Sequence, residues 1–164
     1  MTLRYEGNWA DSPRLTLTGP IVSVQLGHPA DYIGREALMP SHFPMLDMMV
    51  DTGARFTLVE TDRLIQLGLL PIRFQEIIGV EQLPTDCPVF RMSLVLTMRD
   101  KTTGRKTAVR TPMDVLGMAS TAAHEPYRGL LGRNFLMNFD FEYSGSTGSF
   151  ALIRRLEGPA LRRR

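Results

Sequence analysis

The sequence has very little cysteine and no long hydrophobic run. Cys87 is the only cysteine among 164 residues, which excludes an intrachain disulfide and agrees with a reducing compartment. No His or Asn stands near Cys87 in a supporting motif, so we expect a core thiol, not a nucleophile. No segment approaches the ~20 apolar residues of a membrane helix, and residues 1–8 lack the apolar core of a signal peptide. We therefore expect a cytoplasmic protein without a membrane partner.

A strong charge of one sign is also missing. Lys plus Arg number 19 and Asp plus Glu 17, a formal net charge of +2. Arginines concentrate within residues 154–164, which we expect to be a solvated basic tail. Nucleic-acid binding would need a basic face with interleaved aromatics, which the sequence lacks, so it remains a minor alternative through the tail. His28 and His42 have no metal-ligand spacing around them, so we expect neither metal nor cofactor.

What is present suffices for one globular domain, since 43% of residues are hydrophobic and 22% charged. Short apolar stretches, separated by turn residues about every ten positions, predict an all-β barrel with one or two short helices. The predicted strands are 21–26, 48–50, 56–59, 72–78, 89–98, 107–111, 114–118, 127–132, 139–143 and 149–153, with a weaker one at 14–18. The predicted helices are 63–67 and 133–138, with Leu64, Ile65 and Leu67 facing the core.

The domain organisation follows from these patterns. Residues 1–18 are weakly patterned and are expected to be an N-terminal extension. The domain itself spans 19–153, and 154–164 is the tail. Within the domain, 27–44 contains glycine and prolines with little periodicity, which indicates a long loop or insertion with a helical turn near 35–39.

The most informative stretch carries an apolar run, ending at Val50, straight into Asp51-Thr52-Gly53-Ala54. Such a run closed by glycine predicts a buried strand that enters a tight turn. The turn places a carboxylate at the end of a hydrophobic strand, where burial disfavours ionisation. Thr52 adds a hydroxyl, and Gly53 allows close backbone approach. Asp-Thr-Gly is also good Asx-turn chemistry that would simply end a core strand, so the tripeptide alone leaves both interpretations open.

Three segments in order resemble the retropepsins, the retroviral-type aspartic proteases, and more closely their small bacterial relatives. They are Val50-Asp-Thr-Gly-Ala54, the hairpin around Gly79, and Leu130-Leu-Gly-Arg-Asn-Phe-Leu136. The resemblance covers about 19–153 and implies a retropepsin-like acid-protease barrel. It implies that Asp51 is the catalytic residue and that the hairpin is the flap covering the substrate.

The resemblance also implies roles for neighbouring residues. Loop support falls to Thr52, Gly53 and Ala54, with Thr52 bonding across a dimer and the Gly53 carbonyl contacting substrate. The flap and substrate-binding residues would be Ile77, Ile78, Gly79, Val80 and Glu81. The strand and helix behind the aspartate would hold Leu130, Leu131, Gly132, Arg133 and Asn134.

Carboxylate-based peptide hydrolysis needs two carboxyl groups that share one proton. The chain has one Asp-Thr-Gly, and Asp114 and Asp140 lack the turn sequence. A twofold homodimer with Asp51 beside its symmetry mate would supply the second group. The expected function is therefore an aspartic endopeptidase, with an extended and apolar peptide or protein substrate lying under the flap.

Arg55 departs from the resemblance. Retroviral members usually carry an acidic residue at this position, which binds the substrate backbone and pairs with the arginine corresponding to Arg133. That ion pair is here absent, or rewired through Glu60, Asp62 or Asp140. Because a guanidinium near the dyad would oppose the shared proton, the alternative function is a catalytically silent dimerisation or peptide-binding module.

The C-terminal hairpin also has two interpretations. Relatives commonly dimerise through terminal strands, and residues 139–143 and 150–153 would serve that purpose. The other interpretation, which the pattern favours equally, is a hairpin that closes the barrel.

Overall fold

The structure is a computed structural model that describes residues 1–8, 19–27, 43–78, 84–121 and 125–155. This part forms one ten-stranded sheet and two short helices. The strands are β1 (Thr2–Asn8), β2 (Ile21–Gly27), β3 (Met45–Val50), β4 (Leu58–Glu60), β5 (Arg73–Ile78), β6 (Pro84–Asp100), β7 (Lys106–Met118), β8 (Gly129–Leu131), β9 (Asp140–Ser144) and β10 (Ser149–Arg155). The helices are α1 (Thr61–Gln66) and α2 (Arg133–Leu136).

Six of the strands close a barrel. Their order is β2-β3-β8-β4-β7-β6, and β6 pairs back onto β2 from Val95 opposite Gln25 to Ser93 opposite Gly27. The β3–β8 and β4–β7 pairs are parallel, whereas the β6–β7 pair is antiparallel. The prediction of an all-β barrel with short helices is confirmed. Closure matters because a barrel has few free strand edges and holds the loops at its ends in fixed positions.

β7 is one strand where the sequence predicted two. It runs through Pro112, which lies opposite Ser93 of β6. In the described part, β4 is the second neighbour of β7, and it pairs only from Leu116 to Met118. At Pro112, the edge of β7 that faces away from β6 pairs with no strand in the described part. A residue without an N–H group is therefore tolerated there, because no interstrand hydrogen bond is lost on that edge.

The N-terminal residues belong to the sheet. β1, within the range expected to be an extension, pairs with β10 along its length, from Thr2 opposite Arg155 to Asn8 opposite Ser149. Its Leu3 is fully buried in the main core. β10 includes Arg154, so the first arginines of the expected tail lie in a strand. β9 and β10 form the C-terminal hairpin that the sequence predicted, and its part in dimerisation stays a prediction.

Burial confirms most of the predicted core contacts. Leu64 of α1 is fully buried and Leu67 packs against the same cluster. The prediction for Ile65 is wrong, because its side chain is 54% exposed. A helix of less than two turns presents only residues three or four apart to one face, so Leu64 and its neighbour Ile65 cannot both point inward. Cys87 is buried, as predicted, and burial raises the pKa of its thiol.

Several expectations lie outside the described residues. They concern the strand at 14–18, His28 and His42, the helical turn near 35–39, Gly79–Glu81 of the flap, and the tail beyond Arg155. Among the helices in the part of the chain that the structure describes, none has the length and apolar character needed to cross a membrane.

Candidate active site

Asp51 is held at the end of β3 by hydrogen bonds from both sides. The Val50 N–H donates to the Pro20 carbonyl over 2.8 Å, and the Asp51 N–H donates to the Leu131 carbonyl over 3.1 Å. β3 thus lies between β2 and β8, with Val50 directly opposite Leu131 in the parallel pair. The Cα of Asp51 is therefore fixed by the barrel, and the loop that follows it starts from a rigid position.

The Asp51 carboxylate is oriented by its own loop. Oδ1 accepts hydrogen bonds from the Gly53 N–H at 2.9 Å and the Ala54 N–H at 3.1 Å. Among the described residues, nothing donates to Oδ2. Asp51 is half-buried, while Thr52 and Gly53 are exposed. The Asx-turn interpretation is therefore correct as geometry, and it also leaves the second carboxylate oxygen without a hydrogen-bond donor among the described residues.

The segment behind Asp51 packs directly against the loop. The Arg133 N–H donates to the Ala54 carbonyl at 2.9 Å, and the Asn134 N–H donates to the Arg55 carbonyl at 3.3 Å. A Cβ built on Gly132 would lie 2.2 Å from the Phe56 carbonyl oxygen, so no larger residue fits between the two segments. The structure thus brings together the two motifs that the sequence analysis paired.

The Asn134 side chain ties the loop to two strands. Its Oδ1 accepts hydrogen bonds from the Thr57 N–H and the Thr57 hydroxyl, both at 2.8 Å. Its Nδ2 donates to the Asp114 carbonyl at 3.2 Å. The Thr57 hydroxyl also accepts from the Gly132 N–H at 3.1 Å, and Thr57 is fully buried. The sequence analysis missed Thr57, although a lone hydroxyl residue within the predicted apolar strand 56–59 is a usable signal.

Loss of the Asn134 amide should strongly destabilise the protein. Asn134→Ala leaves two buried donors of Thr57 without an acceptor, which costs about 2–4 kcal/mol of unfolding free energy. Urea unfolding followed by circular dichroism measures this loss. Asn138→Ala is the matched control, because that exposed side chain makes one hydrogen bond, to the Phe135 carbonyl. Equal losses for the two variants would contradict the structural role of Asn134.

None of the three carboxylates considered for rewiring reaches Arg55 or Arg133. Glu60 accepts from Arg63 Nε at 2.8 Å, the Asp62 carboxylate accepts from the Ser120 hydroxyl at 3.1 Å, and Asp140 pairs with Arg155 at 3.1 Å. Glu60 also accepts two hydrogen bonds from Thr121, at 2.6 and 2.9 Å. Burial alone would raise the pKa of Glu60, but the hydrogen bonds from Thr121 and Arg63 lower it below its ordinary value.

Arg55 and Arg133 themselves are exposed, and within the described ranges neither forms an ion pair. The Arg55 guanidinium lies over the Phe56 ring, 5.1 Å from its centroid. The rewired alternative is therefore wrong for the described part of the chain, and the ion pair of the retroviral pattern is absent.

The hairpin that the resemblance assigns as the flap is described on both sides of residues 79–83. β5 pairs with the first half of β6, from Arg73 opposite Val89 to Ile78 opposite Pro84. Ile77 packs against a small cluster of apolar side chains, whereas Ile78 is 70% exposed. We call this set the loop-side cluster, and its members are Phe56, Leu58, Ile77, Cys87, Val89 and Leu116. The base of the hairpin therefore carries apolar surface next to the residues that follow the Asp51 loop.

Tyr127 is a further neighbour of the site that the sequence analysis missed. Burial raises the pKa of its hydroxyl, and the negative charges of Glu125 and Asp51 raise it further. Tyr127 lies two residues before β8, the strand that holds the Asp51 backbone.

Comparison with known proteins agrees with this architecture. No family model matches the chain, and no curated protein matches it. Among solved structures, the chain is similar to an aspartic protease of the retropepsin-like type, so its all-β barrel has the retropepsin-like fold. That protein is a retropepsin-like aspartic protease from Rickettsia conorii, with a TM-score of 0.53 and 13% identity, over 94% of this chain and 93% of that one.

Proposed function

We propose that the protein is an aspartic endopeptidase that acts as a homodimer. The observation that carries this proposal is the Asp51 carboxylate, which accepts hydrogen bonds from two N–H groups at Oδ1, while Oδ2 accepts no hydrogen bond from the described residues. It stands at the end of a central strand of a retropepsin-like barrel. Thr52, Gly53 and Ala54 form the loop around it, and Gly132 and Asn134 support that loop from behind.

The second carboxylate must come from another copy of the chain. Asp114 is engaged by Arg73 and Arg91, and Asp140 is engaged by Arg155, so neither is offered to Asp51. A twofold axis beside the Asp51 loop would bring two Asp51 carboxylates together. Like charges at close range do not both ionise, so the pair would hold one proton between them.

Hydrolysis then proceeds by acid–base catalysis on a bound water. The ionised Asp51 takes a proton from the water, whose oxygen attacks the peptide carbonyl carbon. The protonated Asp51 donates its proton to the carbonyl oxygen, which forms a neutral tetrahedral intermediate. When the intermediate collapses, the nitrogen takes a proton from the protonated carboxyl and the C–N bond breaks. The other carboxylate takes a proton from one hydroxyl of the intermediate, so a carboxylic acid and an amine leave and the pair again holds one proton.

A peptide-binding module without catalysis is the second candidate function, and Arg55 is the observation that favours it. Its guanidinium follows the catalytic loop directly and has no carboxylate partner among the described residues. A positive charge near the dyad favours two ionised carboxylates and opposes the shared proton. Incubation with a mixed peptide library between about pH 3 and pH 8, with and without a statin-type inhibitor, separates the candidates. Inhibitor-sensitive cleavage supports the enzyme, and binding without cleavage supports the module.

Cleavage should depend on the association of two chains. We expect the rate per chain to fall on dilution, in step with the loss of dimer seen by analytical ultracentrifugation. When wild type is mixed with excess Asp51→Asn chain, the cleavage rate per total chain should become proportional to the square of the wild-type fraction. The reason is that only dimers with two Asp51 residues hold the dyad. A constant rate per chain in a strictly monomeric sample would contradict the dimeric site.

A further inference from the structure

One face of the flap hairpin combines apolar and charged residues beside the Asp51 loop. Directly opposite residues in antiparallel strands share a face. Val89 of β6 lies between Arg73 of β5 and Leu116 of β7. Two residues further along β6, and so on the same face, Arg91 lies opposite Asp114. All five therefore share one face. Val89 and Leu116 belong to the loop-side cluster, so Arg73, Arg91 and Asp114 lie at its border.

Asp114 is engaged by both arginines of this face. Arg73 Nη1 donates to its Oδ2 at 2.8 Å, and Arg91 Nε donates to its Oδ1 at 3.0 Å. Partial burial would raise the pKa of Asp114, but these hydrogen bonds and the two positive charges lower it. The carboxylate is therefore ionised at neutral pH, and it holds both guanidinium groups on this face.

Arg55 and Arg133 approach the same region through Asn134. The Asn134 side chain donates to the Asp114 carbonyl, and its N–H donates to the Arg55 carbonyl. Arg133 precedes it and bonds the Ala54 carbonyl through its N–H. Both arginines are exposed and form no ion pair within the described residues, so the segments that Asn134 links to Asp114 carry two further positive charges next to the Asp51 loop.

We propose that this arginine cluster, defined as Arg55, Arg73, Arg91 and Arg133, makes the protease select peptides with an acidic side chain. The inference rests on the proposed function and adds a substrate class to it. The loop-side cluster would contact an apolar residue near the cut, and the acidic residue would lie further out along the extended peptide. Guanidinium groups bind carboxylates through paired, charge-assisted hydrogen bonds.

Arg55 is the residue best placed to lead this contact. It follows the catalytic loop in sequence, and its stacking on Phe56 holds the guanidinium in place before a substrate arrives. Because less side-chain entropy is lost on binding, a pre-positioned arginine gains more from each hydrogen bond.

The test compares matched peptides. One peptide from the library that the wild type cleaves is synthesised again as a set of variants. The two residues that flank the cut are kept, and each other position in turn is replaced by Glu, Gln or Lys. At one or more positions we expect kcat/KM for Glu to exceed that for Gln by about tenfold, with Lys lower still. Arg55→Gln should remove most of this preference, which is measured as the ratio of kcat/KM for the Glu peptide to that for the Gln peptide within the same variant. Arg55→Glu should invert the preference toward Lys.

Arg105→Gln is the matched control. Arg105 is exposed in the β6–β7 turn, so this substitution removes the same charge far from the loop-side cluster. Equal cleavage of Glu and Gln peptides by the wild type would overturn the inference while leaving the protease intact.

If no peptide shows cleavage that Asp51→Asn removes, the proposed function fails instead. Fluorescence anisotropy with Asp51→Asn then tests the charge preference by binding alone, and equal or absent binding of the Glu peptide overturns it. A loss of dimer in Arg55→Gln, with the Glu preference kept, would assign Arg55 to the subunit interface and also overturn it.

Discussion

Asp51→Asn should lower kcat/KM for the best library peptide by about 10²–10⁴-fold, the usual contribution of general acid–base catalysis. An amide cannot accept the proton of the attacking water, and two amides cannot share one proton. The fold should survive, because the Asn Oδ1 can still accept hydrogen bonds from the Gly53 and Ala54 N–H groups. Steady-state cleavage assays measure the first effect, and thermal unfolding checks the second.

Asp47→Asn is the control for this prediction. Asp47 lies on the same strand, is exposed and loses the same charge when it is changed. It accepts a hydrogen bond from the Ser23 hydroxyl, which an amide oxygen also accepts. We expect its kcat/KM to stay within about twofold of wild type. Full activity in Asp51→Asn would end the proposal that Asp51 is catalytic, whatever the control does.

The parts of the fold that the sequence predicted are those with local signals. The strand that leads into Asp51 and the turn after it are predicted by consecutive residues, which are apolar up to Val50 and continue as Asp-Thr-Gly. Gly132 and Asn134 were named only through the resemblance, which depends on a short run of consecutive residues, 130–136. Such signals depend on near neighbours only, so a single sequence contains them.

The parts that the sequence did not predict depend on distant partners. Thr2–Asn8 has no pattern that reveals its place beside β10, because that pairing joins opposite ends of the chain. The continuity of β7 through Pro112 depends on where β4 ends. Likewise, Arg73 meets Asp114 only because β5, β6 and β7 align in register, since 41 positions separate the two residues. Register is a property of the assembled sheet, and local patterns specify it poorly.

The Asp51 loop combines both kinds of information. Its own residues orient the Asp51 carboxylate, but its backbone is held by Pro20, Leu131 and the α2 segment. The first contribution explains why the sequence predicts a turn at Asp51, while the candidate catalytic role came from the resemblance. The second explains why Thr57, which joins the loop to α2, was found only in the structure. Rigidity at Asp51 is thus a property of the barrel, and mutations outside the motif should disturb it.

Gly132→Ala tests that statement and should be the most destabilising single-methyl change near the site. The new Cβ would lie 2.2 Å from the carbonyl oxygen of Phe56, 2.4 Å from its carbonyl carbon and 2.9 Å from the Thr57 nitrogen. These are backbone atoms of a packed strand, so no side-chain rotation relieves the overlap. The φ and ψ of Gly132 are −82° and 178°, an extended conformation open to any residue, so the cost is steric. We expect a loss of about 3 kcal/mol or more of unfolding free energy.

Gly145→Ala supplies the comparison, because its nearest neighbour would be the Tyr143 ring at 3.6 Å, an ordinary contact. We expect that variant to stay within about 0.5 kcal/mol of wild type in urea unfolding. In whatever fraction of Gly132→Ala remains folded, kcat should also fall. Separation of the Gly132 and Phe56 backbones would break the Gly132–Thr57 hydrogen bond and shift Leu131, which holds the Asp51 N–H. Equal stability of the two variants would show that the contact between α2 and the catalytic loop is looser than 2.2 Å implies, and the rigid presentation of Asp51 would then need another source.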